Sequence, residues 1–323
     1  MDDRELLNLI AQQPRTCLDL ASLSHLSQRK LLSKLEQWQR AGLPISVDSH
    51  DRWCLDASIN LLDSATIYRA ISTLHSHVIN QLEIVWSVDS TNTQLLARSV
   101  PLTGVNVLLA EHQHAGRGRR GRQWSSPMTA HIYASISRVF SGGNARLPGV
   151  SIVTGIAVAD ALKELLPSTA ITLKWPNDIF VADRKLAGIL IEGKRYSPNT
   201  VYGVIGIGVN VRMPDAFAAE IDQPWIDLET LAGHRIDRNQ TIGSILNQLI
   251  PAFELYENEG IMPFLNRFRE LDALHGRDVD VIETRDGRCR SARVVGISED
   301  GGLLLAYDGA EHVVYSGEVS IRP

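Results

Sequence analysis

Irregularly spaced β-rich runs constrain the fold of this chain more than any other feature of its sequence. These runs cover residues 83–87, 105–111, 131–137, 171–174, 186–191 and 201–211. A parallel sheet needs strands that alternate regularly with helices, and this spacing is irregular. Within residues 148–166, Ile152, Ile156, Ala159 and Leu162 form one helical stripe, which predicts a long packing helix. We therefore predict an α+β fold with a mixed, largely antiparallel central sheet.

Smaller segments flank this central region. Residues 4–12, 17–23 and 27–40 have helical spacing, Ser27 is placed to cap the third helix, and residues 45–47 and 52–55 predict a β-hairpin. Together they have the pattern of a winged helix-turn-helix. Beyond His275, short strands separated by Asp-Gly turns predict a small β-barrel. We expect three domains, which cover residues 1–63, 64–273 and 274–323.

The third helix is the candidate DNA-binding element. Residues 1–63 carry nine acidic and seven basic side chains, but residues 25–40 carry four basic and one acidic, so positive charge is concentrated locally. A DNA-binding role predicts contacts from Ser27, Gln28, Arg29, Lys30 and Lys34. The alternative is a three-helix interaction module that never meets DNA.

Composition excludes several classes of protein. Of 323 residues, 44% are hydrophobic and 21% are charged, as in ordinary globular proteins rather than disordered or fibrous ones. The N-terminus carries Asp2, Asp3 and Glu5 where a signal peptide would be basic, and no run approaches the roughly 18 apolar residues of a membrane span. The three cysteines are far apart and form no CxxC pair. We expect a cytoplasmic protein with no membrane partner.

An arginine-rich glycine loop is the strongest chemical signal. No acidic residue occurs between Glu111 and Asp160, and residues 116–122 have the sequence GRGRRGR. Glycine lets the backbone approach a ligand closely, and arginine offers planar, permanently charged donors to carboxylate or phosphate oxygens. The loop is therefore predicted to bind an anion. The alternative is a solvated basic turn.

The same loop matches the GxGxxG pattern of dinucleotide-binding folds. In those folds the loop opens into a helix, and an acidic residue follows about 20 residues later. Here the next residues, QWSSP at 123–127, do not begin a helix cleanly, and no suitably placed acid follows. No GxxxxGK[ST] motif occurs either, so any ATP must be bound in another way.

Other motifs supply further candidate contacts. Lys185 enters an apolar run, where a lone ammonium group would cost several kcal/mol unless it is paired with an anion. That anion is either a bound ligand or a nearby surface acid. The triplet STN at residues 90–92 is a helix-cap signal whose polar groups can also face a ligand. Gly206 and Gly208 allow a close approach within a strand, by a flat ligand or by simple packing.

These motifs, taken in order, resemble those of bacterial biotin protein ligases. The resemblance rests on STN at 90–92, Gln113, GRGRRGRQW at 116–124, KWPND at 174–178, KLAGIL at 185–190 and GIGVN at 206–210. The flanking segments are similar to those of the bifunctional class, which is both ligase and biotin-operon repressor. The resemblance implies a catalytic domain of the class II synthetase type and an SH3-like C-terminal barrel.

The resemblance also implies roles for individual residues. Lys185 and Arg119 would be catalytic. The biotin contacts would come from Ser90, Thr91, Asn92, Gln113, Arg117, Gly118, Arg119 and Lys185. The ATP and adenylate contacts would come from Arg120, Arg122, Trp124, Asn177 and Asn210. No metal ligand is assigned.

The implied reaction has two steps. The carboxylate of biotin attacks the α-phosphate of MgATP to give biotinyl-5'-AMP, and a lysine of the biotin carboxyl carrier protein of acetyl-CoA carboxylase then attacks this anhydride. The further implied partners are operator DNA and a second copy of the chain, which would dimerise on adenylate binding. The wing sequence SHDR at 49–52 lacks the glycine-rich turn of the repressor class, and the helix start QRKL at 28–31 lacks its small residues.

Two other functions fit parts of the pattern. A lipoate or octanoate ligase on a similar fold would need a longer apolar slot and, for octanoyl transfer, often an active-site cysteine. A transcription regulator that senses biotin without catalysis would use residues 80–323 only to bind its ligand.

Overall fold

The computed structural model describes all residues except 56–58, 102, 284–286, 316–318 and 323. Its N-terminal segment contains three helices and a three-stranded sheet in the order β1-β3-β2. These elements are α1 (Asp3–Gln12), β1 (Arg15–Thr16), α2 (Cys17–Ser24), α3 (Gln28–Arg40), β2 (Ile45–Val47) and β3 (Arg52–Leu55). The Ser27 hydroxyl accepts a hydrogen bond from the backbone N–H of Lys30, as its predicted capping role requires. The predicted helices and hairpin are therefore confirmed to within a residue or two.

A separate small core holds this segment together. Leu7, Leu20, Leu31 and Leu35 are fully buried where the three helices meet. The exposed faces of the same helices carry the charged residues, so the helical spacing seen in the sequence reflects burial of one face.

The central region is built on a seven-stranded sheet in the order β4-β5-β6-β10-β9-β8-β7. Its strands are β4 (Ile79–Val88), β5 (Val105–Gln113), β6 (Ile132–Ser141), β7 (Ile171–Lys174), β8 (Asp178–Val181), β9 (Arg184–Ser197) and β10 (Thr200–Val209). The β4 and β5 pair is parallel, and the other neighbouring strands are antiparallel. The predicted α+β class with a largely antiparallel sheet is confirmed.

Helices cover both faces of this sheet. They are α4 (Ser64–Ala70), α5 (Thr73–Ser76), α6 (Thr91–Ala97), α7 (Leu147–Leu165), α8 (Asp215–Ala218), α9 (Leu228–Ala232), α10 (Arg238–Glu259) and α11 (Leu265–Leu271). The predicted long helix is α7, which packs in the main core with α10. By length and composition alone the segment Gly143–Leu165 is apolar enough to cross a membrane, but 67% of its apolar window is buried inside the protein. Burial within the core accounts for its apolar character.

The C-terminal region is a five-stranded antiparallel sheet in the order β14-β13-β12-β11-β15. Its strands are β11 (Asp278–Glu283), β12 (Cys289–Ile297), β13 (Leu303–Tyr307), β14 (Ala310–Val314) and β15 (Val319–Arg322). Its apolar side chains continue the main core. One side-chain contact ties it to the central region, because Trp175 Nε1 donates a hydrogen bond to the Gly301 carbonyl at 3.0 Å.

The N-terminal segment also contacts the central region directly. The rings of Trp38 and Trp86 lie 5.1 Å apart, and the Met128 N–H donates to the Ala41 carbonyl at 2.7 Å. The end of α3 therefore lies next to the segment that follows the arginine-rich loop.

Candidate active site

A cavity of about 940 Å³ lies where the arginine-rich loop folds over β9 and β10 of the central sheet. Every residue that the sequence assigned to biotin or nucleotide lines this cavity. These residues are Ser90, Thr91, Asn92, Gln113, Arg117, Gly118, Arg119, Arg120, Arg122, Trp124, Asn177, Lys185 and Asn210. Their sequence numbers span more than a hundred positions, and the fold gathers them in one space large enough for two small-molecule substrates.

The arginine-rich loop is a tight turn that leads into no helix. The Gly118 N–H donates to the Arg122 carbonyl at 2.7 Å, and the Trp124 N–H donates to the Gly116 carbonyl at 2.9 Å. Residues Arg119–Gly121 form a single 3-10 turn, in which Arg120 has a φ of 57°. The loop therefore lacks the helix N-terminus that receives pyrophosphate in a dinucleotide-binding fold, which agrees with the argument from sequence.

Two arginines of the loop are held by residues from distant strands. Arg117 Nη2 lies 2.8 Å from Glu192 Oε2, and Arg119 Nη1 donates to Asn177 Oδ1 at 3.0 Å. Burial lowers the pKa of Arg119, and the neighbouring Arg120 lowers it further. Both guanidinium groups thus line the cavity as part of a loop that carries four arginines, which favours an anionic ligand.

The glycines of β10 make room for an aromatic ring of the protein itself. A Cβ atom on Gly208 would lie 2.5 Å from the Trp124 ring, and one on Gly206 would lie 2.6 Å from Asn92 Oδ1. The close approach inferred from sequence is therefore made by side-chain packing in this structure. Trp124 Nε1 is buried and has no hydrogen-bond partner among the described residues.

Lys185 has an acidic neighbour. Its Nζ lies 2.8 Å from Asp178 Oδ1 and 5.5 Å from the centre of the Trp124 ring. The Lys185 side chain is 13% exposed, so an unpaired ammonium group would be costly there. Among the described residues no hydrogen bond reaches Asp178 Oδ1, so the contact with Lys185 is an ion pair. Of the two anions that the sequence left open, the protein's own acid occupies this position here.

Lys174 adds a second ammonium group on the same side of the cavity. Its Nζ lies 5.6 Å from the centre of the Phe180 ring. Burial lowers the pKa of Lys174, while the nearby Asp178 acts in the opposite direction. Both lysines of this motif pair therefore line the cavity, and Asp178 lies close to both.

A buried polar network lies beside the arginine-rich loop in the cavity. The Thr91 hydroxyl donates to Gln113 Oε1 at 3.1 Å, and Asn92 Nδ2 donates to Glu192 Oε2 at 2.9 Å. The Ser135 hydroxyl lies 2.7 Å from Thr91 Oγ1 and 2.6 Å from Asn92 Oδ1. This network therefore offers donors and acceptors in a buried setting, and it shares the Glu192 carboxylate with Arg117.

Ser90 is at the predicted helix-cap position but does not act as a side-chain cap. It immediately precedes α6, and its hydroxyl accepts no hydrogen bond from the first turn. Ser90 is buried and lines the cavity. The sequence signal thus gave the correct position, whereas the capping interaction was wrong.

Two asparagines that line the cavity already donate hydrogen bonds to backbone carbonyls. Asn210 Nδ2 donates to the Lys185 and Ile226 carbonyls at 3.2 Å each, and Asn177 Nδ2 donates to the Ile189 carbonyl at 2.6 Å. Any ligand contact of these residues must come from the amide oxygen or from added hydrogen bonds.

Three residues of the site were missed in the sequence. Ser135 shows only as a polar residue inside a strand, and Asp178 and Glu192 end motifs in which the cations drew attention. Their importance is visible only in the contacts described above. A buried serine within an apolar strand and acidic residues adjacent to basic motifs were the available signals.

The candidate DNA-binding residues lie apart from this cavity. Gln28, Arg29 and Lys30 are exposed on the first turn of α3. Lys34 is less free than the sequence suggested, because it forms an ion pair with Asp3.

Two histidines, His112 and His114, precede the arginine-rich loop in the sequence. His112 Nδ1 lies 2.8 Å from Ser87 Oγ, and burial lowers the pKa of His112 to about 4. In the part of the chain that the structure describes, no group of three His, Cys, Asp or Glu side chains is placed to hold a metal ion.

Comparison with known proteins shows which proteins the chain resembles. Residues 85–210 match the model of the biotin/lipoate A/B protein ligase family, and residues 274–322 match the biotin protein ligase C terminal domain. The chain is 36% identical to the bifunctional ligase/repressor BirA of Salmonella typhimurium over 300 residues, which cover 93% of this chain and 90% of that relative. It is 39% identical to BirA of Escherichia coli over 73% of this chain and 72% of the relative.

A solved structure agrees with these sequence matches. The biotin protein ligase from Aquifex aeolicus in complex with biotin and ATP is similar with a TM-score of 0.63 and 26% identity, over 75% of this chain and 99% of that chain.

Proposed function

The chain belongs to the biotin/lipoate A/B protein ligase family, and from that premise we propose that it is a biotin protein ligase that uses ATP to attach biotin to a lysine of a carrier protein. The observation that carries this proposal is the single cavity of about 940 Å³, in which a buried polar network adjoins a cluster of cations. The structure of the similar Aquifex aeolicus ligase with biotin and ATP supports both substrates.

The polar network and the cations suit the two ends of biotin. The ureido ring is neutral and needs both donors and acceptors, which Ser90, Thr91, Asn92 and Gln113 offer. The carboxylate is an anion and would lie toward Arg117, Gly118, Arg119 and Lys185. Arg120, Arg122, Trp124, Asn177 and Asn210 line the remaining space, which we assign to the nucleotide.

The first step joins two anions, so cations must lower the barrier. An oxygen of the biotin carboxylate attacks the α-phosphorus of ATP, the bond to the bridging oxygen breaks, and pyrophosphate leaves. Lys185 and Arg119 would neutralise the carboxylate and the charge that develops at phosphorus. A well-placed donor of this kind contributes roughly 3–4 kcal/mol to transition-state stabilisation.

The second step transfers the acyl group. The ε-amino group of the acceptor lysine attacks the carbonyl carbon of biotinyl-5'-AMP, an amide bond forms, and AMP leaves as the acyl–oxygen bond breaks. Among the described residues no cysteine lines the cavity, so the chain offers no thiol as a covalent carrier there. The arginine-rich loop would cover the anhydride and exclude water between the steps.

Mg²⁺ belongs to this proposal as part of the MgATP substrate. This ion usually keeps several waters and is held by one or two carboxylates together with substrate phosphates. Asp178 is a carboxylate of the cavity that lies close to both lysines, which is compatible with such a shell.

The N-terminal segment supports a second role as a repressor of transcription. We assign residues 1–63 to a winged helix-turn-helix domain, residues 64–273 to the catalytic domain and residues 274–323 to an SH3-like barrel. Ser27, Gln28, Arg29, Lys30 and Lys34 would contact operator DNA, and a homodimer promoted by the adenylate would present two such helices. The names of the BirA relatives support this role. Free cysteines and these partners are consistent with a cytoplasmic location.

One experiment separates the ligase from its rivals. The protein is incubated with ATP, a biotin carrier domain, and either biotin or lipoate, and the mass of the carrier is measured together with AMP formation. A biotin ligase gives a biotin-dependent mass increase with matching AMP. A mass increase with lipoate alone indicates a lipoate ligase, and biotin binding without AMP indicates a sensor.

The repressor role needs its own test. Random duplex DNA is selected on the protein in the presence of biotin and ATP. We expect enrichment of a two-fold symmetric site, and weaker binding of that site by the Arg29→Gln and Lys30→Gln variants. Failure to enrich any sequence would leave the N-terminal segment as a protein-interaction module.

A further inference from the structure

A second and smaller cavity lies outside the candidate active site. Its volume is about 100 Å³, and it has no lining residue in common with the larger cavity. It is bounded by the linker at residues 59–60, the segment 129–130, residues 211–212 just after β10, and residues from α9 to the start of α10. Four separate parts of the chain therefore meet around this space.

The charges around the cavity are predominantly positive. Arg212, Arg235 and Arg238 line it together with one acidic residue, Glu229. Glu229 lies 3.2 Å from Arg235 Nη1 and also accepts from the Ile236 N–H at 3.3 Å. A single carboxylate thus faces three guanidinium groups.

Arg238 does not need a ligand. It is 2% exposed, lies 2.8 Å from Glu111 Oε2, and donates to the His131 carbonyl at 3.1 Å and to the Asn60 carbonyl. Its charge is therefore balanced from behind the cavity. The excess of positive charge comes from the other two arginines, for which Glu229 is the acidic residue in the lining.

Arg212 is the arginine of this cavity that would gain from an added anion. It is half-buried, and within the described parts of the chain its guanidinium group makes no hydrogen bond or ion pair. Burial lowers the pKa of Arg212 and the charge of Arg235 lowers it further, while Glu229 and Asp227 act in the opposite direction. A half-buried cation of this kind gains favourable contacts when an anion is supplied.

A neutral polar residue borders the same space. Thr129 lines the cavity and is only 4% exposed, yet its Oγ1 has no hydrogen-bond partner among the described residues. Buried hydroxyl groups are normally hydrogen-bonded, so this orphaned group is a second and independent sign of a missing ligand.

We propose that this cavity binds one small tetrahedral oxyanion, with inorganic phosphate as the simplest example. Its volume of about 100 Å³ corresponds to roughly three water molecules at about 30 Å³ each, which is too little for a nucleotide. Arg212 and Arg235 supply charged donors, and Thr129 supplies a hydroxyl donor. A tetrahedral anion has enough oxygens to accept from all three, whereas chloride offers no directional acceptors.

An anion bound in this cavity would connect the linker at residues 59–60 to the catalytic region. Ile59 and Asn60 precede α4 and form one wall of the cavity, while Thr129 and Arg212 belong to segments next to the active site. A ligand that binds only the folded chain stabilises it in proportion to the logarithm of its concentration above the dissociation constant. The site is distinct from the candidate active site, since none of its residues lines the larger cavity.

The test measures binding of inorganic phosphate to the full chain by calorimetry and by the rise in melting temperature, with sodium chloride matched for ionic strength. The variants are Arg212→Gln and Arg235→Gln, and the second keeps the test valid if the first folds poorly because Arg235 is largely exposed. The matched control is Arg269→Gln, which removes the same charge from an exposed position elsewhere. If phosphate binds at the arginine-rich loop instead, none of the three changes should alter its affinity. The two binding sites are distinguished in this way.

We expect phosphate to raise the melting temperature of the unaltered chain and of the Arg269→Gln variant. Both cavity variants should bind phosphate about tenfold more weakly or worse, because each loses a charge-assisted hydrogen bond. The proposal is overturned if phosphate has no effect beyond that of chloride, if both cavity variants bind it unchanged, or if acetate acts equally well.

Discussion

Lys185 Nζ lies 2.8 Å from Asp178 Oδ1 inside the larger cavity, where the two groups form an ion pair. A carboxylate of the protein thus occupies the position beside the ammonium group that we assign to the carboxylate of biotin. Because an ammonium group has three N–H donors, a substrate oxygen can bind Lys185 while Asp178 stays beside it.

Replacing Lys185 by Gln should remove most of the adenylation activity. Gln keeps hydrogen-bonding groups but loses the charge that offsets repulsion between two anions, so we expect a fall of about 100-fold or more in pyrophosphate release. The measurement is biotin-dependent pyrophosphate formation from ATP. Lys163→Gln, at an exposed position of α7, serves as the control. A Lys185→Gln variant with near-normal release would remove Lys185 from the catalytic residues.

Replacing Arg119 by Gly should let the adenylate escape. The Arg119 side chain connects the loop to Asn177 at 3.0 Å, and its loss would open the cover over the anhydride. We expect faster release of biotinyl-5'-AMP after rapid dilution, and a smaller effect of the same sign for Asn177→Ala. Equal retention of the adenylate by the Arg119→Gly variant would refute the covering role of the loop.

Gly208→Ala should displace the Trp124 ring. The new methyl group would lie 2.5 Å from the indole, and strand β10 cannot yield easily because it is paired on both sides. We expect weaker ATP binding with a smaller change in the affinity for biotin, measured by calorimetry. Gly155→Ala is the matched control, because its Cβ would meet neighbours only at 3.4 Å or more. Parallel losses in both variants would point to general destabilisation.

Acid should destabilise the fold through His131. Burial lowers the pKa of His131 from its ordinary value of 6.5 to about 3, so between these values the unfolded chain binds a proton that the folded chain excludes. This contribution therefore leaves the free energy of unfolding unchanged above pH 6.5 and reduces it by up to about 1.4 kcal/mol for each pH unit below that.

Chemical denaturation at pH 7.5 and pH 5 measures this effect. His131→Asn keeps an acceptor near Nδ1, which receives the Val211 N–H at 3.0 Å. The variant should be less stable at neutral pH and should lose less stability on acidification than the unaltered chain. The same acid sensitivity in both would exclude His131 as its source.

Trp175→Phe should weaken the ligase, although Trp175 directly follows β7 at the edge of the seven-stranded sheet. The change removes the hydrogen bond from Trp175 Nε1 to the Gly301 carbonyl, which ties the C-terminal sheet to the motif that contains Lys174 and Asn177. We expect a raised KM for ATP with little change in KM for biotin. Trp53→Phe, in the small N-terminal core, is the control for loss of an indole. Unchanged KM values in Trp175→Phe would show that this contact is purely structural.

The sequence by itself determined the elements and the chemistry of the chain. Helical spacing in residues 27–40 and 148–166 located α3 and α7, because burial of one or more faces imposes a period that can be read locally. The loop at 116–122 predicts an anionic ligand for an equally local reason. Glycine and arginine have the same chemical properties wherever they occur in a chain.

Only the tertiary structure decided which groups meet. The pairing of Arg117 with Glu192, the packing of Trp124 on Gly208 and the placement of Ser135 beside Thr91 join residues from different strands of the sheet. The cavity with Arg212 and Thr129 could not be foreseen for the same reason. Such contacts depend on strand order and register, which arise from the packing of the whole sheet and leave no periodic trace in the sequence around each residue.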